Sequence, residues 1–263
     1  MANFAENDRF QWQMFEANNR LRFERPVDDA SQQWWIEKFY VPHQLTPEGM
    51  ADLITRSAPG EKLAVYHYID AAREAFSLRV DGDFPGTREF WFAHRELDLK
   101  GSAFNAEGLE ISDGMQGGGY GRALMGDLID TGKLLGVDII KLRAERIGRF
   151  VWVKMGFLPT DDAWLQMRRE AYDFILMHRA SLERKLDVMG LLTRIRTGGP
   201  KMARALAEIN VEVPSSDIPS RFEPKSRPFG KVFFLEAASP WNGRLDLHDN
   251  ETMKAVENYR KKK

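Results

Sequence analysis

The sequence predicts an α/β protein organised on a mixed sheet, and three observations predict it. Segments rich in β-branched and aromatic residues, Lys62–Ile69, Ala75–Val80 and Glu89–Leu99, follow one another at hairpin spacing. The glycines Gly117, Gly118, Gly119 and Gly121 separate a strand pattern, Ala106–Ser112, from a helix pattern. An apolar run of strand length, Val137–Leu142, follows that helix, so the order is strand, loop, helix, strand.

A chain of 263 residues can bury a core without covalent staples. With 43% hydrophobic, 29% charged and 11% aromatic residues, global disorder is excluded. The 38 Lys plus Arg against 39 Asp plus Glu leave a formal charge of -1, which supplies no overall attraction to nucleic acid or an anionic membrane. The absence of cysteine removes disulfide frameworks, thiolate nucleophiles and Cys-based metal sites. A reducing compartment fits, and neither a signal peptide pattern nor an apolar window of membrane length is present, so a cytoplasmic protein is expected.

Taken in order, Asn3–Arg22 carries Phe4, Phe10, Met14, Phe15 and Leu21 at irregular intervals and reads as a helix packing one face. Trp34, Trp35, Phe39 and Tyr40 form an aromatic patch expected to be buried. Thr46-Pro47-Glu48 reads as an N-cap opening a helix through Ile54, with Pro59-Gly60 as its stop. The meander follows, with Asp81-Gly82 and Pro85-Gly86 marking the connection before its last strand. Ala123, Leu124, Leu128, Leu134 and Leu135 mark the helix after the glycines, stopped by Gly136. Ile147, Val151 and Met155 sit on a second helix ending at Gly156.

From Ala163 to Arg196 the pattern is wholly helical, and Lys201–Ile209 restarts a short helix after Gly198-Gly199-Pro200. Pro214–Pro228 reads as an extended arm, Lys231–Leu235 as a late strand, and the run Lys261, Lys262, Lys263 behind Arg260 as a frayed, solvated end. The expected organisation is an amino-terminal helical elaboration over 1–60, a core over 61–160, a helical insertion over 161–213, and an arm with late strand and basic tail over 214–263, all in one integrated domain.

Gln116-Gly-Gly-Gly-Tyr-Gly121 places small residues between strand and helix, where backbone N–H groups and the helix dipole can hold a phosphate. Close packing alone could also demand such glycines. A nucleotide triphosphate loop would need Lys-Ser or Lys-Thr after its last glycine, and Arg122 stands there instead. A dinucleotide fingerprint read from Gly119 and Gly121 would need a small residue where the chain has Leu124.

What remains is the pattern Q/R-x-x-G-x-G/A, met by Gln116, Gly119 and Gly121, followed downstream by Trp152-Val-Lys-Met-Gly156-Phe157. In these features, over about Leu109 to Pro159, the sequence resembles the GNAT N-acetyltransferase superfamily. The resemblance implies a central mixed sheet whose fourth and fifth strands, here 106–112 and 137–142, splay apart around the pantetheine arm of acetyl-coenzyme A. It implies pyrophosphate binding by Gln116, Gly117, Gly118, Gly119, Tyr120, Gly121 and Arg122, with Ile111 on the adjoining strand. It also implies that Phe150, Trp152 and Lys154 lie near the thiol end. Arg122 reads equally as a solvated first-turn residue, and Phe150 and Trp152 equally as core packing.

Acetyl transfer to an amine by direct attack in a ternary complex needs a base that takes the amine proton. Glu110 is the first choice, because strand alternation sets it opposite Leu109 and Ile111. Ser112 and Tyr120 offer hydroxyls, Glu96, Asp98 and Glu107 are weaker carboxylates, and His94 is the one histidine that qualifies as a base. The five histidines lack ligand spacing, so no metal site is expected. The chain departs from the family pattern at Trp152 and at the pair Glu145 and Gly148. Trp152 stands where many members carry a tyrosine acid, and Glu145 and Gly148 stand where an asparagine and a small residue are frequent. The rival reading is therefore a catalytically degenerate GNAT-fold binding or structural protein, such as a phage assembly component associated with a virion. The acceptor, a small-molecule or protein amine, is not specified by the sequence. The helical insertion is expected to shape the acceptor side or a self-association face.

Overall fold

Residues 12–215 and 226–261 are described by a computed structural model, in which the chain divides into two units, Met1–Ile140 and Lys141–Lys263. It is an α/β protein with mixed strand pairing.

In the first unit the expected helix over Asn3–Arg22 is corrected where it can be followed; residues 3–11 lie outside the described residues. Trp12 and Gln13 alone are helical, and Leu21 opens strand β1, Leu21–Phe23. The Asn18 side chain is the reason. Its Oδ1 accepts from the backbone N–H of Arg20 at 2.7 Å and of Leu21 at 2.9 Å, a local turn that competes with helical bonding. Leu21 is then buried by parallel pairing with the second strand.

Helix α1, Asp29–Trp35, is capped by Asp28 and runs into a π-helical turn, Ile36–Tyr40, and a short helical piece, Val41–His43. Trp34, Trp35 and Phe39 are buried as expected. Trp35 packs against Phe39, Tyr66 and Phe76 with ring centroids 4.6–5.6 Å apart, and its indole N–H donates to the Leu45 carbonyl. Helix α2, Pro47–Ile54, starts as expected, the Thr46 hydroxyl accepting from Gly49 N–H. It stops before Pro59-Gly60, because the chain turns at Ser57, whose N–H and hydroxyl both donate to the buried carboxylate of Asp127.

Strands β2 (Lys62–Asp70), β3 (Ala75–Asp83), β4 (Phe90–Asp98) and β5 (Ala103–Ile111) form the antiparallel meander. Asp81-Gly82 does not turn the chain but continues β3. Gly82 lies against the Trp91 indole, where a Cβ would come within 2.4 Å, and the reversal falls at Phe84–Thr87. Two bulges interrupt the ladders: His67 is the extra residue between the pairs Tyr66–Leu78 and Tyr68–Ser77, and Glu107 between His94–Gly108 and Arg95–Ala106. Arg95, wholly buried, donates from Nη1 to the Gly108 carbonyl at 2.7 Å, and burial lowers its pKa to about 10. Helix α3, Tyr120–Leu134, buries Leu124 and Leu128 and ends at Gly136, whose φ is +69°. Strand β6, Ile139–Ala144, crosses the division between the units.

In the second unit helix α4, Gly148–Met155, ends on Gly156 with φ +119°. After strand β7, Leu158–Pro159, come α5 (Asp161–Met177), a single turn at Arg179–Leu182, α6 (Val188–Thr197) and α7 (Met202–Ala207). The helical reading of this region thus holds in separate pieces. The ends of the Pro-rich arm pair as strands β8, Glu212–Pro214, and β9, Ser226–Pro228. Residues 216–225 lie outside the described residues.

The strand expected at Lys231–Leu235 is corrected to helix: α8, Phe229–Val232, continues as a π-helical turn, Phe233–Ala237. Val232, Phe233 and Phe234 are all buried, and an unbroken apolar run reads the same for a buried helix as for a buried strand. The late strand is instead β10, Trp241–Asp246, which alternates buried and exposed residues and pairs antiparallel with β7. Helix α9, Asn250–Arg260, is capped by Asp249, and Lys261 stands exposed at its end; Lys262 and Lys263 lie outside the described residues.

Candidate functional site

The candidate site of the first unit is built where β5 passes into α3. Ser112 closes the end of the β4–β5 ladder: its N–H donates to the Phe90 carbonyl, and its hydroxyl accepts from Phe90 N–H, both at 3.1 Å. One 3-10 turn, Asp113–Met115, then leads to Gln116. The Gln116 amide donates to the Ile111 carbonyl at 3.0 Å and to Asp113 Oδ1 at 2.8 Å, tying the loop to the strand it leaves.

Gly117 and Gly119 both adopt left-handed backbone, with φ of +85° and +83°, a conformation that a side chain disfavours. Gly119 is the N-cap of α3 and offers no side chain to the helix start. The first-turn N–H groups of an α-helix have no acceptor within the helix, so this end presents donors and the positive pole of the dipole. Arg122 lies back along the same loop: a Cβ on Gly119 would sit 3.0 Å from its Nη2. Tyr120 packs edge-on against Phe84 at 4.7 Å and covers Gly118, where a Cβ would come within 2.7 Å of its ring. Gly121 is the least constrained; a Cβ there would make ordinary contact with Leu109 and Ile111.

Glu110 is exposed on β5 and registers with Phe92 on β4. Beside it lies a polar cluster that sequence reasoning largely missed. Arg79 stacks on Phe92 at 4.4 Å and grips Asp81 through three short hydrogen bonds; that grip, with a smaller contribution from Glu110, holds its pKa above the ordinary value. His94, opposite Arg79, places Nε2 2.8 Å from the buried Ser77 hydroxyl. Its ring meets that of His67 at 5.0 Å, and His67 Nδ1 in turn lies 2.9 Å from Glu24. Burial, then the neighbouring His67 and Arg95, pushes the His94 pKa down, so its imidazole is neutral and able to accept a proton near pH 7. Ser77, Arg79 and Asp81 alternate with Phe76, Leu78 and Val80, and that period of two was the signal for a shared polar face.

The remaining expected residues belong to the second unit. Phe150 is half-buried and packs toward Phe234 at 6.4 Å, and Lys154 stands in the last turn of α4. The Trp152 indole lies across Gly148, where a Cβ would come within 2.7 Å of Nε1, so the two residues form one packing unit. Glu145 is exposed and pairs with Arg143 at 2.9 Å. Among the described residues, no group of three or more His, Asp or Glu side chains could hold a metal ion, and no helix is long and apolar enough to cross a membrane.

No protein-family model and no curated protein matches this chain. Among solved structures a nourseothricin acetyltransferase resembles part of it, at 21% identity and a TM-score of 0.28, over 35% of this chain and 54% of that one. The match therefore spans about half the length of that protein, a weak and partial likeness to an acetyltransferase structure.

Proposed function

We propose that the chain is an acetyl-coenzyme A-dependent N-acetyltransferase in which the β5–α3 loop binds the cofactor pyrophosphate. The observation that carries this reading is the loop itself: two left-handed glycines, an uncapped helix start and the Arg122 guanidinium folded against Gly119. Gln116 serves as the brace that fixes the loop rather than as a side-chain ligand, since both of its amide bonds are internal. Glu110 is the proposed base toward an acceptor amine, acting directly or through water, and His94 shares the polar neighbourhood.

Calorimetric titration with acetyl-coenzyme A and with free coenzyme A tests the reading. Saturable binding of both is expected, and none at millimolar ligand would remove the enzyme from consideration. Glu110→Gln is expected to slow transfer and to leave cofactor affinity nearly intact; an unchanged rate would cost Glu110 its role. One observation favours a second reading, a GNAT-fold binding protein. The indole of Trp152, fitted over Gly148, carries no group able to protonate a leaving thiolate. Binding without turnover of any amine would favour that alternative.

A further inference from the structure

The exposed face of α5 carries an apolar stripe. Leu165, Tyr172, Leu176 and Met177 are 46%, 41%, 43% and 75% exposed, while Trp164, Met167, Ala171, Phe174 and Ile175 bury the opposite face. Leu165, Arg169, Tyr172 and Leu176 follow intervals of four, three and four residues, the spacing of a helix seam. Among the described residues neither Arg169 nor Asp173 forms a salt bridge within the subunit.

We infer that α5 packs against α5 of a second copy of this chain, antiparallel and about a two-fold axis. Self-complementarity selects both the partner and the direction. In a parallel pair each residue meets itself, and Arg169 would face Arg169 inside the seam, a like-charge contact in a partly desolvated position. In the antiparallel pair with its axis between residues 170 and 171, Leu165 meets Leu176 of the other copy. Arg169 then lies opposite Tyr172 of the other copy and beside its Asp173, and each contact occurs twice. Arg169, Asp173 and the exposed apolar residues thus satisfy one another in a single arrangement. One helix pair buries less than the roughly 1,600 Å² of a standard interface, so the association is expected to be reversible and concentration-dependent. The inference does not depend on the acyl-transfer reading.

The cysteine-free sequence makes the register testable directly. Leu165→Cys and Leu176→Cys, each made singly and oxidised under mild conditions, are expected to cross-link to each other in a mixture far faster than either does to itself. Sedimentation equilibrium of the parent is expected to show a monomer–dimer equilibrium that Leu165→Glu abolishes, with an unchanged circular dichroism spectrum because the position is exposed. Arg169→Asp and Asp173→Arg should each weaken the dimer, and the double exchange should restore it. The inference is overturned by a strictly monomeric parent, by a dimer indifferent to Leu165→Glu, or by preferential self-cross-linking of Leu165→Cys, which would report a parallel pair.

Discussion

Gly117 and Gly119 in the loop and Gly121 in the first turn of α3 give the sharpest test of the loop's geometry, because alanine at each meets different surroundings. At Gly117 the φ of +85° is the whole obstacle, since nothing lies within 4 Å of an added Cβ. Left-handed backbone costs an alanine about 1–2 kcal/mol. At Gly119 the same strain applies at φ +83°, and the Cβ also comes within 3.0 Å of Arg122 Nη2. That guanidinium is the far end of a flexible side chain, so it moves aside at modest cost but leaves the loop. At Gly121, helical and with ordinary contacts of 3.6 and 3.7 Å, alanine gains helix propensity, up to about 1 kcal/mol. For a chain of this size 1 kcal/mol shifts Tm by about 2–4 °C. Calorimetric melting should therefore rank the variants with Gly121→Ala at or above the parent, Gly117→Ala a few degrees below, and Gly119→Ala no higher than Gly117→Ala. Titration with coenzyme A should then separate the two strained variants, Gly119→Ala losing more affinity because it alone displaces Arg122. Equal destabilisation by Gly121→Ala and Gly119→Ala would refute the loop geometry, and full affinity in Gly119→Ala would refute its role as a cradle.

Arg149 donates to the carbonyls of Leu235 and Ala238, closing the π-helical turn of the second unit; Arg149→Met should cost about 2–3 kcal/mol in urea unfolding, and a loss under 1 kcal/mol would mean that solvent replaces those bonds. His94 and His178 both have pKa values lowered chiefly by burial. As pH falls below about 6.5 the unfolded chain takes up protons that the folded chain refuses, so stability is complete above that pH and declines on acidification toward the folded pKa values. His94→Gln should flatten part of that decline, whereas an unchanged slope of unfolding free energy against pH would show that His94 is not the responsible group. Gly148→Ala forces the Trp152 indole from its place and should destabilise by about 1–3 kcal/mol, while the double variant with Trp152→Ala should recover much of that loss. Additive effects in the double variant would show that the two residues are not one packing unit.

The parts of this fold that were legible in the sequence are those where a local signal and the tertiary outcome agree. Thr46-Pro47 caps its helix, Gly136 and Gly156 end theirs, and the meander lies where β-branched and aromatic residues cluster. The failures have physical causes. Lys231–Leu235 is apolar throughout, so it carries no period to distinguish strand from helix, and its surroundings decided for helix. Trp241–Asp246 did carry a period of two, but asparagine, glycine and arginine at its exposed or tight positions disguised it. At the site, the glycines and Gln116 were visible because backbone geometry restricts residue type. The His94–Ser77 contact was not, since it depends on strand register, and the bulge at His67 that brings its ring to His94 leaves no mark in the sequence.

Under the proposed acetyl-transfer reading, the want of a leaving-group acid weighs less against turnover than the want of a base, and magnitudes decide the point. A departing thiolate of ordinary pKa, about 8.5, lies only about 1.5 units above neutral pH, so an acid can contribute about 2 kcal/mol to its protonation. An alkylammonium acceptor of pKa about 10.4 lies more than 3 units above neutral pH, and exposing its lone pair costs more than about 4 kcal/mol unless the site favours the neutral amine. The demand on the base is thus about twice the demand on the acid. Under that reading the larger contribution would fall to the polar groups of β2 to β5, where Glu110 is exposed and where burial lowers the pKa of His94 beside Ser77. An enzyme with this constellation would lose roughly tenfold to thirtyfold for want of an acid and far more for want of its base. Turnover by the parent protein that collapses in Glu110→Gln is the pattern that the proposed reading requires.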